Sequence, residues 1–344
     1  MKPQPKILNS KGEEIILNSR ETKLANSLER KLNALGYEIP ITTLTTIMKK
    51  ITEQKFFEVA PADYLPVRVG EGAWSSNLVT YRSFGMSDGF ETGVVNLGGN
   101  NARLASADSG VDSVTVQVIN WAKSIGWSIM DLEMAAKSGN WDLVSSKEKA
   151  RKKDWDLGIQ KIAFLGLAGN NASGGSCLGL LNQSGITNNT TTITKKISDM
   201  NTTELKAFCG AVVEKYRNNC LRTAWPTHFI VPESDYNGMA SQASADFPVK
   251  SVKQLLEEMF QVITGKKDFK ILPLSYGDSS YSGLGVQRYV LLNYDEEALR
   301  MDIPVDYTNT LANSIDNFSF QNVGYGQFTG VQAYRPLEMM YFSY

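Results

Sequence analysis

Apolar and polar positions recur with different periods along this chain, and the changes of period divide it. "SRETKLANSLERKLNALG" sets Leu24, Leu28, Leu32 and Leu35 at helical spacing, with Ser19 as N-cap and Gly36 as the stop. After "YEIP", the segment "TTLTTIMKKITEQKF" offers a second short helix. A leucine stripe this thin has little core of its own. Residues 1–60 therefore read either as a mostly helical arm laid on another surface or as the first helix pair of a domain. From Pro61 to Val111 the texture turns rich in Gly, Ser and Asn, with short β-type pieces such as "PVRV" and "NLVTYRS". Such a stretch cannot make its own core, so it is either disordered or a long projecting hairpin ordered by a neighbour. Arg82, Arg103, Glu71 and Glu91 supply charges for polar contacts across such an interface.

A period of two follows. Val114, Val116 and Val118 alternate with polar residues, and Ile125, Trp127 and Ile129 do so in the opposite phase, which predicts strand, bulge and strand. Asp131–Lys137 predicts a short helix ended by Gly139. Ser145 and Glu148 fit a capping box for a long helix over about 146–168. Its apolar side is Trp155, Ile159, Ile162, Ala163 and Leu167. The beginning "KEKARKKD" is basic but interrupted by Glu148 and Asp154, and reads as a solvated face rather than a nucleic-acid or acidic-partner contact.

Farther on, "NTTELKAFCGAVVEKYRNNCL" predicts a helix capped by Asn201 with Glu204, burying Leu205, Phe208, Cys209, Val212, Val213 and Tyr216. "THFIVPES" reads as a buried strand, "SVKQLLEEMFQVITG" as a capped helix ending at Gly265, and "FKILPL" and "QRYVLLNY" as strands. Helices alternating with apolar strands imply a layered α/β subdomain from about Asn188 to Leu299. The last segment, "FSFQNVGYGQFTGVQAYRPLEMMYFSY", is β-rich, aromatic and too apolar to be a free tail.

The bulk numbers add exclusions. The chain has 344 residues, 42% hydrophobic and 21% charged, with a formal net charge of −1. Nothing in that balance pulls it onto nucleic acid or anionic membrane, and no apolar run approaches the roughly 18 residues of a membrane span. A polar N-terminus without a signal core predicts a chain made in the cytoplasm and soluble. Cys177, Cys209 and Cys220 show no metal spacing. Cys209 and Cys220, read on one helix, lie about 16 Å apart along it, too far for a disulfide.

Candidate chemistry is thin. His228 is the only histidine and lies in the apolar strand "PTHFIVPE", so any Ser–His or Cys–His pair must use it. "GDSSYSGLG" (277–285) fits neither a phosphate loop nor a nucleophile elbow and reads as a hairpin or surface loop. Glu257, Glu258, Asp295, Glu296 and Glu297 read as solvated faces. "LGLAGNNASGGSCLGLLNQSGI" (165–186) crowds glycine, serine and cysteine, but its glycines follow a helix C-terminus, whose dipole repels anions. Gly169 with Asn170 and Asn171 suits a left-handed helix stop, and Cys177 a packing role. No catalytic, cofactor-binding or metal-binding residue is assigned.

In its order of parts nearly the whole chain resembles the Johnson fold of tailed-phage major capsid proteins, the Hong Kong 97 type. "VQVINWAKSIGWSIMDLEMAAKSG", the long helix and "GLLNQSGI" look like a sub-family formerly catalogued as an uncharacterised domain of phage genomes. The resemblance implies an α+β fold with an N-arm (1–60), an extended β-hairpin loop (61–111) and a peripheral domain (112–187) holding the long spine helix. An axial α/β domain (188–299) and closing strands that return to the peripheral domain (300–344) complete it. It also implies a non-enzymatic shell protein, assembled in the bacterial host cytoplasm through hexamers and pentamers into an icosahedral virion capsid around double-stranded DNA. Arm and loop would lie on neighbouring subunits; portal, and scaffold or decoration proteins, would be partners. DNA would be enclosed without sequence-specific binding, and neither membrane nor cofactor is implied. The alternatives are an encapsulin-like nanocompartment shell and an α/β enzyme using His228 or Cys177.

Overall fold

A computed structural model gives the structure, and it describes residues 7–8, 14–15, 56, 58–86, 108–137, 142–168, 176–244 and 247–344. The chain divides into two compact units, residues 1–56 and 57–344. In the first, strand β1 (Ile7–Leu8) pairs antiparallel with β2 (Glu14–Ile15). The helices expected over 19–36 and 42–55 lie outside the described residues.

The second unit begins with β3 (Val67–Val69), β4 (Asn77–Met86), β5 (Asp108–Gln117) and β6 (Ile119–Ser128). Helices α1 (Ile129–Lys137) and α2 (Leu143–Leu165) follow, then β7 (Thr187–Asn189), α3 (Thr202–Asn219), β8 (His228–Pro232) and α4 (Glu233–Gly238). Next come β9 (Gln242–Ser244), β10 (Phe247–Ser251), α5 (Val252–Thr264), β11 (Lys270–Leu274), α6 (Ser279–Ser282) and β12 (Arg288–Leu292). The chain closes with β13 (Leu299–Ile303), β14 (Val305–Asn309), β15 (Asn313–Ser314), β16 (Ser319–Phe328), β17 (Val331–Ala333) and β18 (Met339–Ser343).

A five-stranded sheet in the order β11-β8-β12-β18-β7 is the central wall. Apart from the polar edge strand β7, its strands are apolar on both faces and read as near-continuous hydrophobic runs. Phe229, Val231, Ile271, Tyr289, Leu291, Met340 and Phe342 pack into one core with the inner faces of α3 and α5. Ile230, Leu274, Val290, Leu292, Met339 and Tyr341 point the other way, into a second core with Trp155, Ile159, Ile162 and Phe164 of α2. The expected capping box of α3 is present, with Asn201 and Glu204 bonded reciprocally, and all six expected apolar residues of that helix are buried. Ser251 and Gln254 form the same device on α5, which ends in left-handed Gly265 (φ 69°).

Three expectations change. Strand β18 lies between β12 and β7, in the α/β sheet, so one of the closing strands does not pair with the strands beneath the long helix α2. Its run Met339–Phe342 is buried throughout, which is the pattern of a central strand. The other closing strands lie on the α2 side: β16 pairs along ten residues with β6, from Phe328↔Ile119 to Ser319↔Ser128, β14 and β15 flank it, and β13 and β17 place Leu299, Met301, Val331 and Ala333 in the core beneath α2. Second, α2 starts one turn early: its N-cap is Asp142, which accepts from Ser145 N, while Glu148 accepts from Asn322 Nδ2 at 2.7 Å. Third, α2 stops at Leu165 because Gly166 turns left-handed (φ 76°), not at Gly169–Asn171, which lie outside the described residues.

The stop at Gly166 explains the glycine-rich stretch. A helix leaves its last four carbonyls without partners. Here Gly166 N takes Ile162 O (2.9 Å), Leu180 N takes Ala163 O (2.8 Å) and Leu181 N takes Phe164 O (3.0 Å). Asn182 Nδ2 takes the fourth, Leu165 O, at 2.8 Å, while its Oδ1 accepts from Gly179 N. Gly179 is needed for this approach: a Cβ there would lie 2.5 Å from Gly166 N and Phe164 C. Asn182→Ala would strand Leu165 O and Gly179 N, and should cost about 2 kcal/mol. Urea unfolding should show a lower midpoint with an unchanged slope.

Candidate functional site

Strands β4 and β5 form a two-stranded ribbon on their own, in register from Asn77↔Gln117 to Met86↔Asp108. Ten pairs span about 34 Å. Residues alternate between its faces. Leu78 and Thr80, with their opposites Val116 and Val114, are half-buried. Val79, Tyr81 and Val111 are exposed on the other face. Arg82 anchors the ribbon by donating from Nη1 to Tyr334 O (3.0 Å) and pairing through Nη2 with Asp112 (2.6 Å). The Arg82 hydrogen bond, with help from Ser113 N, holds the Asp112 carboxyl below its usual range. Arg300 adds a second anchor: Nη2 donates to Thr80 Oγ1 (3.3 Å) and Tyr334 OH (3.0 Å), and the guanidinium lies 4.8 Å from the Tyr334 ring centroid. Asp302, nearly buried, holds both Arg300 and Arg68. Sequence reading named Arg82 as an interface charge; the structure uses it within the chain, and nothing local signalled its partner Tyr334. Residues 87–107, with Glu91 and Arg103, lie outside the described residues.

The enzyme candidates do not converge. His228 is buried on β8, shares a hydrogen bond with Thr227 Oγ1 (3.0 Å) and stacks on Tyr294 at 4.9 Å. Burial, and then the charge of Lys270, push its pKa down to about 4. Cys177 is half-buried; its backbone pairs with Leu167, its side chain lies against Gly330, and burial pushes its thiol up. A raised thiol is a poor nucleophile. Cys209 and Cys220 are buried and unpaired with each other.

"GDSSYSGLG" is a one-turn helix, α6, rather than a hairpin; Asp278 ahead of it accepts from Ser234 N at 3.2 Å. Glu257 and Glu258 pair with Lys253 and Lys250, and Asp295 and Glu297 with Arg335, all at the surface. The basic start of α2 is not wholly solvated. Arg151 is buried and donates to Tyr307 OH (2.8 Å), Asn322 O (3.0 Å), Asn309 Oδ1 (3.1 Å) and Lys123 O (3.3 Å). Among the described residues no cluster of His, Cys, Asp and Glu could hold a metal ion.

A helix-backed sheet carrying a two-stranded ribbon, joined to an α/β layer, defines the class of Hong Kong 97-type phage capsid subunits. Three solved structures share this fold. The capsid of Myoviridae phage XM1 is 16% identical, with TM-score 0.72, over 90% of this chain and 99% of that one. Mycobacterium phage Ogopogo gives 10% identity and TM-score 0.52, covering 89% and 99%. The capsid of a native GTA particle gives 11% and 0.52, covering 88% and 96%. No curated protein matches the chain in sequence. Residues 95–344 match the family model described as major capsid protein, and the chain belongs to that family.

Two outcomes follow. Arg82→Ala should speed amide exchange along residues 77–82 with little change in global unfolding. His228 should titrate near 4 by NMR. Its folded pKa lies below the unfolded value of about 6.5, so the unfolded state binds its proton first. The stability it contributes is present above pH 6.5 and lost as pH falls from there to about 4; His228→Gln should remove that part of the pH dependence.

Proposed function

We propose that copies of this chain assemble through hexamers and pentamers into an icosahedral shell around a double-stranded DNA phage genome. Residues 61–111 act as the extended loop and residues 1–60 as the arm, each lying on a neighbouring subunit; residues 112–187 and 188–299 act as peripheral and axial domains. The chain performs no catalysis, and assembly takes place in the host cytoplasm. The shell meets a portal, and scaffold or decoration proteins, and encloses DNA without reading its sequence. Family membership supports the shell reading. The observation that carries the loop's part is the ribbon's outer face, where Val79, Tyr81 and Val111 lie uncovered while the opposite face is anchored to the body. An exposed apolar strand face with open edges is a template for another chain.

Electron microscopy of the purified protein should show hollow icosahedral particles or capsomers; a stable monomer would overturn the reading. Replacing residues 87–107 with a short Gly/Ser turn between Met86 and Asp108 should leave a folded subunit that builds no normal shells. Normal shells from that variant would remove residues 87–107 from assembly, and normal shells from a Val79→Ser/Tyr81→Ser/Val111→Ser variant would remove the ribbon's outer face.

A further inference from the structure

Helix α1 is turned the wrong way for a soluble monomer. It is well made: Ser128 N donates to the Asp131 carboxylate (3.0 Å) and Asp131 N donates back to Ser128 Oγ (3.1 Å), a reciprocal cap. Yet Ala135 is its only buried residue. Ile129, Met130, Leu132 and Met134 are exposed, the two methionines at 59% and 57%. Ile129 N bonds Phe318 O (3.2 Å), which brings the backbone of Phe318, itself exposed, beside the start of the helix. The four helix side chains, each about half uncovered, leave on the order of 300 Å² of apolar surface. That approaches half of the roughly 800 Å² one partner gives to a standard interface.

We propose that this face is a contact between copies of the chain, in which α1 packs against α1 of a neighbouring copy across a rotation axis. The inference rests on the shell reading above and names one of its contacts. The argument for a second copy is charge. Glu133 and Lys137 lie one turn apart on the exposed side, among Ile129, Met130 and Met134. A partner of a single sign would attract one and repel the other. An antiparallel copy of the same helix sets each Glu133 toward the partner subunit's Lys137, so a self-complementary face satisfies both.

Met130→Cys, Glu133→Cys and Met134→Cys, each alone in assembled shells, should give disulfide-linked chain pairs on mild oxidation from at least one variant. The unchanged chain and a Val262→Cys control should give none. Disulfide formation requires Cβ atoms about 4 Å apart, so a face that meets something else yields no chain pairs. Glu133→Lys or Lys137→Glu alone should lower the assembled fraction at least tenfold, and the double swap should recover it to within twofold. Shells without cross-linked pairs, cross-linking to a different protein, or a double swap no better than the singles would overturn this contact while leaving the proposed function standing. Absence of shells from the unchanged chain would sink both.

Discussion

The closed C-terminus of α2 is the constraint on which the rest of the second unit depends. Four carbonyls that would otherwise lie orphaned at a buried helix end are all taken up, three by backbone N–H groups and one by the Asn182 side chain. The residue after Asn182 extends these contacts to the central sheet. Gln183 N donates to Tyr341 OH (3.0 Å), and its Nε2 donates to Gly179 O and Val331 O (both 2.8 Å). Tyr341 OH in turn donates to Leu180 O at 2.5 Å. One turn of chain thus ties the long helix, β18 and the start of β17 together. A cluster of buried polar groups this fully satisfied specifies one arrangement, because any slip leaves several unpaired at once.

That knot sits in the core beneath α2, and the central sheet makes this core and the α3–α5 core interdependent. Neighbouring residues of β8, β12 and β18 go to opposite cores: Phe229 and Ile230, Leu291 and Leu292, Met340 and Tyr341. A one-residue slip of any of these strands would exchange every side chain between the cores. The α/β layer and the helix-backed layer are therefore two faces of one wall rather than separately folding pieces.

Legibility in the sequence follows locality. Helices α3 and α5 were readable because the cap, the apolar stripe and the stop all lie within one element, as Asn201, Glu204 and Gly265 show. The cap of α2 was not. Ser145 with Glu148 satisfies the same spacing rule as Asp142, and the choice was made by Asn322, 174 residues away, which takes Glu148. The place of β18 in the sheet, and the parallel pairing of β3 with β13, are set by contacts between distant segments that no window reports. The ribbon was readable as a hairpin from its lack of core, whereas its anchors, Tyr334 and Arg300, lie more than 200 residues on.

The same physics separates the parts of the surface that serve folding from those that do not. A two-stranded ribbon is marginal in water by itself. Here its inner face is held at Thr80 and Arg82, while the outer face carries Val79, Tyr81 and Val111 with nothing of the chain's own described residues covering them. Moving those side chains inward would require exchanging them with Leu78, Thr80, Val114 and Val116, which already meet the body. Among the described residues the alternation leaves only one of the two faces against the body. The ribbon's remaining stabilisation must come from outside it, so covering its outer face and consolidating its strands are one thermodynamic step. If the ribbon lies on a neighbouring subunit as proposed, its order is coupled to the presence of that subunit.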